Sequence, residues 1–134
     1  PFFDSVESMI SHLAFSIPAV KGIEFGAGFG AAQMFGSDHN DAILDASGTT
    51  ATNHAGGIAG GITNGNEVVF RVVIKPTSST PKEQTSYNWE TGQLETFSYK
   101  GRHDLCIALR VPVIMEAVAA IAIADLALIN KAYQ

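Results

Sequence analysis

Cysteine and basic residues are both scarce in this sequence. The single cysteine, Cys106, excludes a disulfide bond within the chain, which fits a reducing cytoplasm. Eight Lys and Arg residues stand against 13 Asp and Glu residues, which gives a net charge of −5. General nucleic-acid binding is therefore disfavoured, because the neutralisation of phosphates needs clustered Lys and Arg. We expect a cytoplasmic protein that binds no nucleic acid.

Targeting and membrane-spanning segments are also lacking. The sequence begins at Pro1 and shows no charged segment followed by the apolar stretch of a signal peptide. Between Glu116 and Asp125 the uninterrupted apolar run is far shorter than the roughly 20 residues that a membrane span needs. We therefore expect no membrane association, and we expect the chain to be a fragment of a longer protein or a processed one.

The composition predicts one compact domain, because 134 residues that are 46% hydrophobic and 16% charged can form a core. Apolar residues at helical spacing predict a helix over residues 4–17, with Asp4 as N-cap and Glu7 as its capping-box partner. Pro112 predicts the first turn of a second helix that runs to about Lys131. Its many alanines favour burial on most sides, within the domain or at a subunit interface.

Strands are expected between these two helices. Alternating residues and the turn signals at Asn64-Gly65 and Thr91-Gly92 predict five short strands. The second and third strands, and likewise the fourth and fifth, are expected to pair as hairpins across those turns. The predicted strands cover residues 20–25, 57–62, 67–74, 87–89 and 94–99.

Two segments have only a superficial likeness to ligand-binding motifs. Gly26–Gly30 lacks the spacing of a dinucleotide-binding fingerprint. Residues 37–52 are polar and small, and they predict a mobile surface loop. The Asp38–Asp41 cluster in that loop has no defined spacing of metal ligands, so we predict a solvated loop and no metal site.

The most informative stretch runs from Asn53 to Ser79. Its glycine pairs, Gly56-Gly57 and Gly60-Gly61, are typical of places where another group comes close to the backbone. The segment 75–79, KPTSS, then offers a cation, hydroxyls and backbone donors that could hold an anion. An ordinary Ser/Thr-rich turn with a chance lysine is an equal alternative. We interpret the stretch as a wall of a cofactor site with a phosphate at one end.

A second polar cluster, Arg102-His103-Asp104, precedes the long apolar helix. Arg102 could bind a phosphate or carboxylate through two hydrogen bonds, and Asp104 could act as a general base if its charge is partly desolvated. Alternatively, Arg102 and Asp104 pair and cap the following helix, where a negative charge is favoured. His103 is a weak metal ligand candidate, because no second His or Cys lies nearby.

Taken together, these blocks resemble the C-terminal part of chorismate synthase. The likeness rests on SIPAVKGIEFGAGF, GSDHND, NHAGGIAGGITNG, IKPTSS and GRHD, which occur in the family's order and spacing over nearly the whole chain. The sequence departs from the family at Leu105, where Pro is common, and in the order of residues around Pro112. Because of these departures, the resemblance does not fix the residue at which the long helix begins.

The resemblance implies an α+β fold in which an antiparallel sheet packs with long apolar helices, as part of a sandwich of helices between sheets. It implies a homotetrameric lyase of the shikimate pathway for aromatic amino acids. The implied reaction is the 1,4-elimination of phosphate from 5-enolpyruvylshikimate-3-phosphate, with reduced FMN (FMNH2) as cofactor and an expected link to NADP. The substrate-binding and catalytic residues of the family's N-terminal half are absent, so we expect the fragment alone to be inactive.

The resemblance also implies roles for individual residues. Asp104 corresponds to the catalytic carboxylate that is proposed to manage the proton at flavin N5. The alternative to an enzyme is a non-catalytic domain that binds a phosphate-bearing ligand or self-assembles through the apolar helix. The implied flavin contacts are Pro18, Ala19, Gly60, Lys75, Pro76, Thr77, Ser78, Ser79 and Arg102.

Overall fold

Three α-helices and three two-stranded antiparallel sheets make up the fold, in a computed structural model that describes all 134 residues. Two 3₁₀ turns, at Gly28–Gln33 and Ile107–Arg110, complete it. The elements are α1 (Val6–Ser16), β1 (Val20–Phe25), α2 (Gly36–His39), β2 (Ile58–Ala59), β3 (Ile62–Thr63), β4 (Phe70–Ile74), β5 (Gln84–Asn88), β6 (Gln93–Phe97) and α3 (Val111–Ala132).

Helix α1 has the predicted apolar face but a different cap. Ser5, not Asp4, is the N-cap, and its side-chain oxygen accepts a hydrogen bond from the Ser8 N–H at 3.1 Å. The predicted capping box is therefore wrong, because Ser8 rather than Glu7 lies three residues after the cap. The buried face consists of Val6, Ile10 and Ala14, as the periodicity predicted.

Strand β4 pairs with β1 rather than with the glycine-rich stretch. Val20 lies opposite Ile74, and Phe25 lies opposite Phe70. The predicted hairpin between residues 57–62 and 67–74 is therefore wrong. All four paired glycines have φ between +59° and +84°, which interrupts an extended strand. That segment forms only the two-residue strands β2 and β3, which pair with each other.

Arg71 forms a cross-strand pair with Glu24. Its Nε donates to Glu24 Oε1 at 2.8 Å, and its Nη2 donates to the Gly26 carbonyl at 2.9 Å. The hydrogen bond from the Phe29 N–H, followed by that from Arg71, holds the pKa of Glu24 below its usual value. Arg71 thus fixes the end of β1 to the following turn.

Three buried glycines, Gly26, Gly56 and Gly57, lie where distant backbone segments of the chain pack closely together. The Gly26 N–H donates to the Val69 carbonyl at 2.9 Å, and the Val69 N–H donates to the Gly56 carbonyl at 3.0 Å. A Cβ atom on Gly56 would lie 2.5 Å from the Gly26 nitrogen, and one on Gly57 would lie 2.2 Å from the Glu67 carbonyl oxygen. The expected close approach therefore exists, but the group that approaches Gly56-Gly57 is the chain's own backbone rather than a cofactor.

The segment 37–52 contains local order. Ile43 bridges Thr50, and Asp45 Oδ1 accepts hydrogen bonds from the N–H groups of Ser47 and Thr49 at 2.9 and 3.2 Å. Hydrogen bonds from the Ser47 and Thr49 side chains lower the pKa of Asp45 to about 2. The loop is therefore partly structured, and its mobility stays a prediction.

Asp41 ties this segment to the NHAGG stretch. Its Oδ1 accepts from Thr52 Oγ1 at 2.7 Å and from the His54 N–H at 2.8 Å, and its Oδ2 accepts from the Ala55 N–H at 2.9 Å. The Asp41 side chain is only 8% exposed. Burial raises the pKa of Asp41, but the hydrogen bonds from Ala55, Thr52 and His54 outweigh it and hold the pKa below its usual value.

Asp41→Asn is expected to lower the free energy of unfolding of the full-length protein by about 1–3 kcal/mol at neutral pH, because the amide NH₂ replaces one of the two carboxylate oxygens and cannot accept the hydrogen bonds made to that oxygen. A carboxylate with a lowered folded-state pKa stabilises the fold above its unfolded pKa of about 3.9, and that stability is lost as pH falls through the folded value. The difference from wild type should therefore shrink in acid. Urea titrations at several pH values measure it.

Asp38→Asn is the matched control, because exposed Asp38 accepts only a long bond of 3.4 Å from Ser37 Oγ. Equal stabilities for the Asp41 and Asp38 variants at neutral pH would contradict the anchoring role of Asp41.

Helix α3 begins where Pro112 predicted and packs only one face inside this chain. Its buried positions Val111, Met115, Val118 and Ala122 form one core cluster with α1. Only 12 of the 134 residues are buried, so most of the apolar surface of α3 is uncovered. The predicted burial on most sides is therefore not achieved within this chain.

By length and composition alone, the 26-residue segment Ile107–Ala132 could cross a membrane. The charges at Glu116 and Asp125 are thus not sufficient to exclude a span, contrary to the argument from the sequence. A core helix of a water-soluble protein can have the same length and composition, and α3 packs on α1. The absence of membrane association stays a prediction.

Strands β5 and β6 form the hairpin predicted around Thr91-Gly92. Gly92 has a φ of +70°, which the tight turn requires. Near the tip, the rings of Tyr87 and Trp89 pack edge to face at 5.1 Å, and Trp89 is 90% exposed. In the sequence, the hairpin separates the polar segment 75–79 from the polar segment 102–104.

Candidate functional site

The turn between α1 and β1 meets the end of β4 at one end of the sheet. The Ala19 carbonyl accepts a hydrogen bond from the Lys75 N–H at 2.8 Å. Ala19 has a φ of +73° and is the only non-glycine residue with positive φ. Such a conformation costs about 1–3 kcal/mol and tends to occur at functional sites. Two of the predicted flavin contacts, Ala19 and Lys75, are thus adjacent, and Pro18 directly precedes Ala19 in the sequence.

A cleft of about 290 Å³ opens beside this hydrogen bond, and we call it the Lys75 cleft. The pairing of β1 and β4 shifts register between Val20 and Gly22, which leaves Lys21 in a bulge. Bulges redirect side chains, and Lys21 lines the cleft as a second cation that the sequence pattern did not reveal. The lining residues are Ala19, Lys21, Lys75, Pro76, Thr77, Ser78 and Ile107.

A second cleft of about 520 Å³ adjoins the first, and we call it the Arg102 cleft. The two clefts share Thr77 and Ile107. Segments 75–79 and 102–104 therefore converge, although the β5–β6 hairpin separates them in sequence. The Arg102 cleft is lined by Thr77, Ser79, Arg102, His103, Asp104, Ile107 and Arg110.

Asp104 pairs with Arg110 rather than with Arg102. Arg110 Nη2 donates to Asp104 Oδ1 at 3.3 Å, and the two side chains are 78% and 53% exposed. The alternative of an Arg102–Asp104 helix-capping pair is therefore wrong, and the 3₁₀ turn that follows has no side-chain cap. Within this chain, Asp104 is also more hydrated than a strong general base requires. Arg110 was missed because no local pattern pairs residues six positions apart.

Gly60 lies outside both clefts. The Gly61 carbonyl accepts from the Val6 N–H at 2.9 Å, so this glycine pair lies at the start of α1, whereas Ala19 follows its end. The 11 residues of α1 span about 16 Å. A Cβ atom on Gly60 would meet nothing within 4 Å, so its backbone is accessible. Its contact with a flavin stays a prediction.

A larger cavity, of about 670 Å³, lies elsewhere, between β4 and α3. Its walls are apolar side chains such as Phe70, Val72 and Met115, and Glu116 is the only charged residue that lines it. Because it offers no cation to an anionic ligand, we do not regard it as the cofactor site.

The sequence of this chain is similar to sequences of known proteins. The family profile described as chorismate synthase matches residues 1–128. The chain belongs to the chorismate synthase family. The "Chorismate synthase" of Chitinophaga pinensis is 72% identical over 131 residues, which cover 98% of this chain and 40% of that protein. The one from Archaeoglobus fulgidus is 45% identical over 127 residues, or 93% of this chain and 35% of that protein.

A solved structure confirms the fold. The match to "Crystal Structure of Chorismate Synthase" has a TM-score of 0.52 at 41% identity, and it covers 56% of this chain and 23% of that chain. The α+β class expected from the resemblance is therefore confirmed. The chain spans 40% or less of the length of these chorismate synthases.

Proposed function

We propose that the full-length protein containing this chain is a chorismate synthase that eliminates phosphate from 5-enolpyruvylshikimate-3-phosphate. In this 1,4-elimination, a C–O bond to phosphate and a ring C–H bond break, a new C=C bond forms, and phosphate and a proton leave. The observation that carries the proposal is the convergence of segments 75–79 and 102–104 on two adjoining clefts in a chain of this family.

The donor set of the clefts fits reduced FMN. Lys21 and Lys75 line one cleft and Arg102 lines the other, which suits an anionic group and carbonyl oxygens. The Thr77 hydroxyl lies between them and has no partner within the chain. When bound, reduced FMN supplies electron density to the substrate as phosphate leaves and recovers it afterwards, so that there is no net redox change.

The chain's own residues would position these groups and carry a proton. Lys75 and the hydroxyls of 77–79 would hold the anionic and carbonyl oxygens, and Pro76 would shape the loop by fixing its φ. Arg102 would orient the ligand through its planar guanidinium. Asp104 would exchange the proton at flavin N5, while Arg110 holds the carboxylate in place through the 3.3 Å contact to its Oδ1.

The remaining properties of the whole protein follow from the same proposal. It would be a cytoplasmic homotetramer that binds a phosphorylated small molecule and neither nucleic acid nor membranes. The isolated 134 residues would be inactive, because Asp104 is 53% exposed here and other basic groups must hold a multiply anionic substrate. Tests of function therefore require the full-length protein.

Lys75→Ala is expected to weaken the binding of reduced FMN to the full-length protein by about tenfold, since it removes one charge-assisted contact. Anaerobic absorbance titrations with FMN, with and without a substrate analogue, measure this. Lys82→Ala is the control, because Lys82 is exposed in the loop after the site and lines neither cleft. If the wild-type protein binds no FMN, the proposed function is wrong. Equal affinity of the two variants would remove Lys75 from the site.

A further inference from the structure

Two polar atoms in the Arg102 cleft are buried without a hydrogen-bond partner. They are Thr77 Oγ1 and His103 Nε2, and both residues line this cleft. A buried polar atom without a partner costs about 1–3 kcal/mol, so folded proteins seldom leave one unsatisfied. Only one other side-chain atom of the chain, Glu7 Oε2 in α1, shares this state. The coincidence of two such atoms at one cleft indicates a missing partner.

The charge of the cleft indicates the chemistry of that partner. Arg102 and Arg110 supply two positive charges, and the only negative group, Asp104, already pairs with Arg110. A threonine hydroxyl can donate, and a histidine Nε2 donates when it carries a proton. Donors beside cations call for an acceptor with negative charge, such as a phosphate oxygen.

The His103 ring lies beside the backbone of Gly101. A Cβ atom on Gly101 would lie 3.4 Å from His103 Cε1 and 3.5 Å from Nε2, so the ring lies over a residue without a side chain. The imidazole therefore lies close to the backbone at the wall of the cleft. From the sequence, His103 was only a weak candidate for a metal ligand. A role in binding an anion could not be predicted there, because it depends on the position of Nε2 in the folded chain.

We propose that His103 is a ligand-binding residue that donates a hydrogen bond from Nε2 to an oxygen of a phosphate group in the Arg102 cleft, together with the Thr77 hydroxyl. The identity of the phosphate-bearing molecule rests on the proposed function, which supplies two sources, FMN and the substrate. The preference for a phosphate group rests instead on the unpartnered donors and the arginines of the cleft.

His103→Asn and His103→Gln form the decisive pair in the full-length protein. The amide nitrogen of Gln reaches the position of Nε2, whereas that of Asn reaches the position of Nδ1. We expect His103→Asn to bind phosphate-bearing ligand about tenfold more weakly and His103→Gln to stay within about threefold of wild type. A purely structural role would make no such distinction, and thermal unfolding of both variants checks for it. His12→Asn is the control, because His12 is exposed on α1.

The probes distinguish the two sources of phosphate. FMN and riboflavin differ only in the phosphate group, so titrations with both isolate the contribution of the flavin phosphate. Inorganic phosphate serves as the probe for a substrate phosphate. A loss confined to FMN assigns the flavin phosphate, and a loss confined to inorganic phosphate assigns the substrate phosphate. Wild-type affinity of His103→Asn for both overturns the inference. Phosphate binding without FMN binding in the wild-type protein would defeat the proposed function alone.

Discussion

Asp104→Asn is expected to reduce turnover of the full-length protein by about 10²–10⁴-fold while FMN binding stays within about threefold of wild type. The amide oxygen can still accept the hydrogen bond that Arg110 Nη2 donates to Asp104 Oδ1 at 3.3 Å. The geometry of the cleft is therefore retained, and the lost property is the ability to take up and release a proton. Steady-state chorismate formation and an anaerobic FMN titration measure the two quantities separately.

Asp125→Asn is the matched control for this prediction. Asp125 is an exposed carboxylate on α3 and lines neither cleft, so the same chemical change there should leave turnover unaffected. Wild-type turnover of Asp104→Asn with FMN bound would remove Asp104 from the proton transfer. Loss of FMN binding together with turnover would instead assign it a role in holding the cofactor.

The second large effect is expected from Gly56→Ala, which should lower the free energy of unfolding by about 2–5 kcal/mol. Gly56 has a φ of +68°, a conformation that residues with a Cβ atom seldom adopt. The added methyl would also lie 2.5 Å from the Gly26 nitrogen and 2.7 Å from the Val69 carbonyl oxygen. These are backbone atoms joined by hydrogen bonds, so none of them can move aside cheaply.

Gly30→Ala provides the comparison within the same chain. Gly30 is exposed, lies in the Gly28–Gln33 turn, and would place its Cβ atom in open space. Its substitution should change stability by less than about 1 kcal/mol, since only the flexibility of the unfolded chain is affected. Urea unfolding of both variants in the full-length protein tests the contrast. Similar destabilisation by the two substitutions would refute the close-packed role of Gly56.

Local signals in the sequence predicted most of the elements. The apolar spacing of residues 6–14 gave the buried face of α1, because helical periodicity depends only on neighbours one or two turns away. Pro112 marked the start of α3, and Thr91-Gly92 marked the β5–β6 turn, since both depend on backbone preferences of single residues.

The errors concern contacts between distant residues or choices between adjacent caps. The pairing of β4 with β1 was missed because the sequence of an extended strand does not specify its partner. The glycine-rich stretch was predicted as a strand because the sequence does not reveal the positive φ values of its four paired glycines. The partner of Asp104 was missed for a similar reason, because the sequence does not show whether Arg102 or Arg110 lies close to its carboxylate. Ser5 and Asp4 were both acceptable N-caps, and only the backbone geometry distinguished them.

The sequence by itself determined the family, the helices and the chemical character of KPTSS and GRHD, because side-chain chemistry and local propensity are properties of the residues alone. Only the tertiary structure decided where these groups meet. It placed segments 75–79 and 102–104 at adjoining clefts, put Lys21 into a bulge beside Lys75, and left Thr77 and His103 with unpartnered buried atoms. It also assigned Gly56-Gly57 to packing against the chain's own backbone. Proximity and burial arise from long-range packing, which no local pattern specifies.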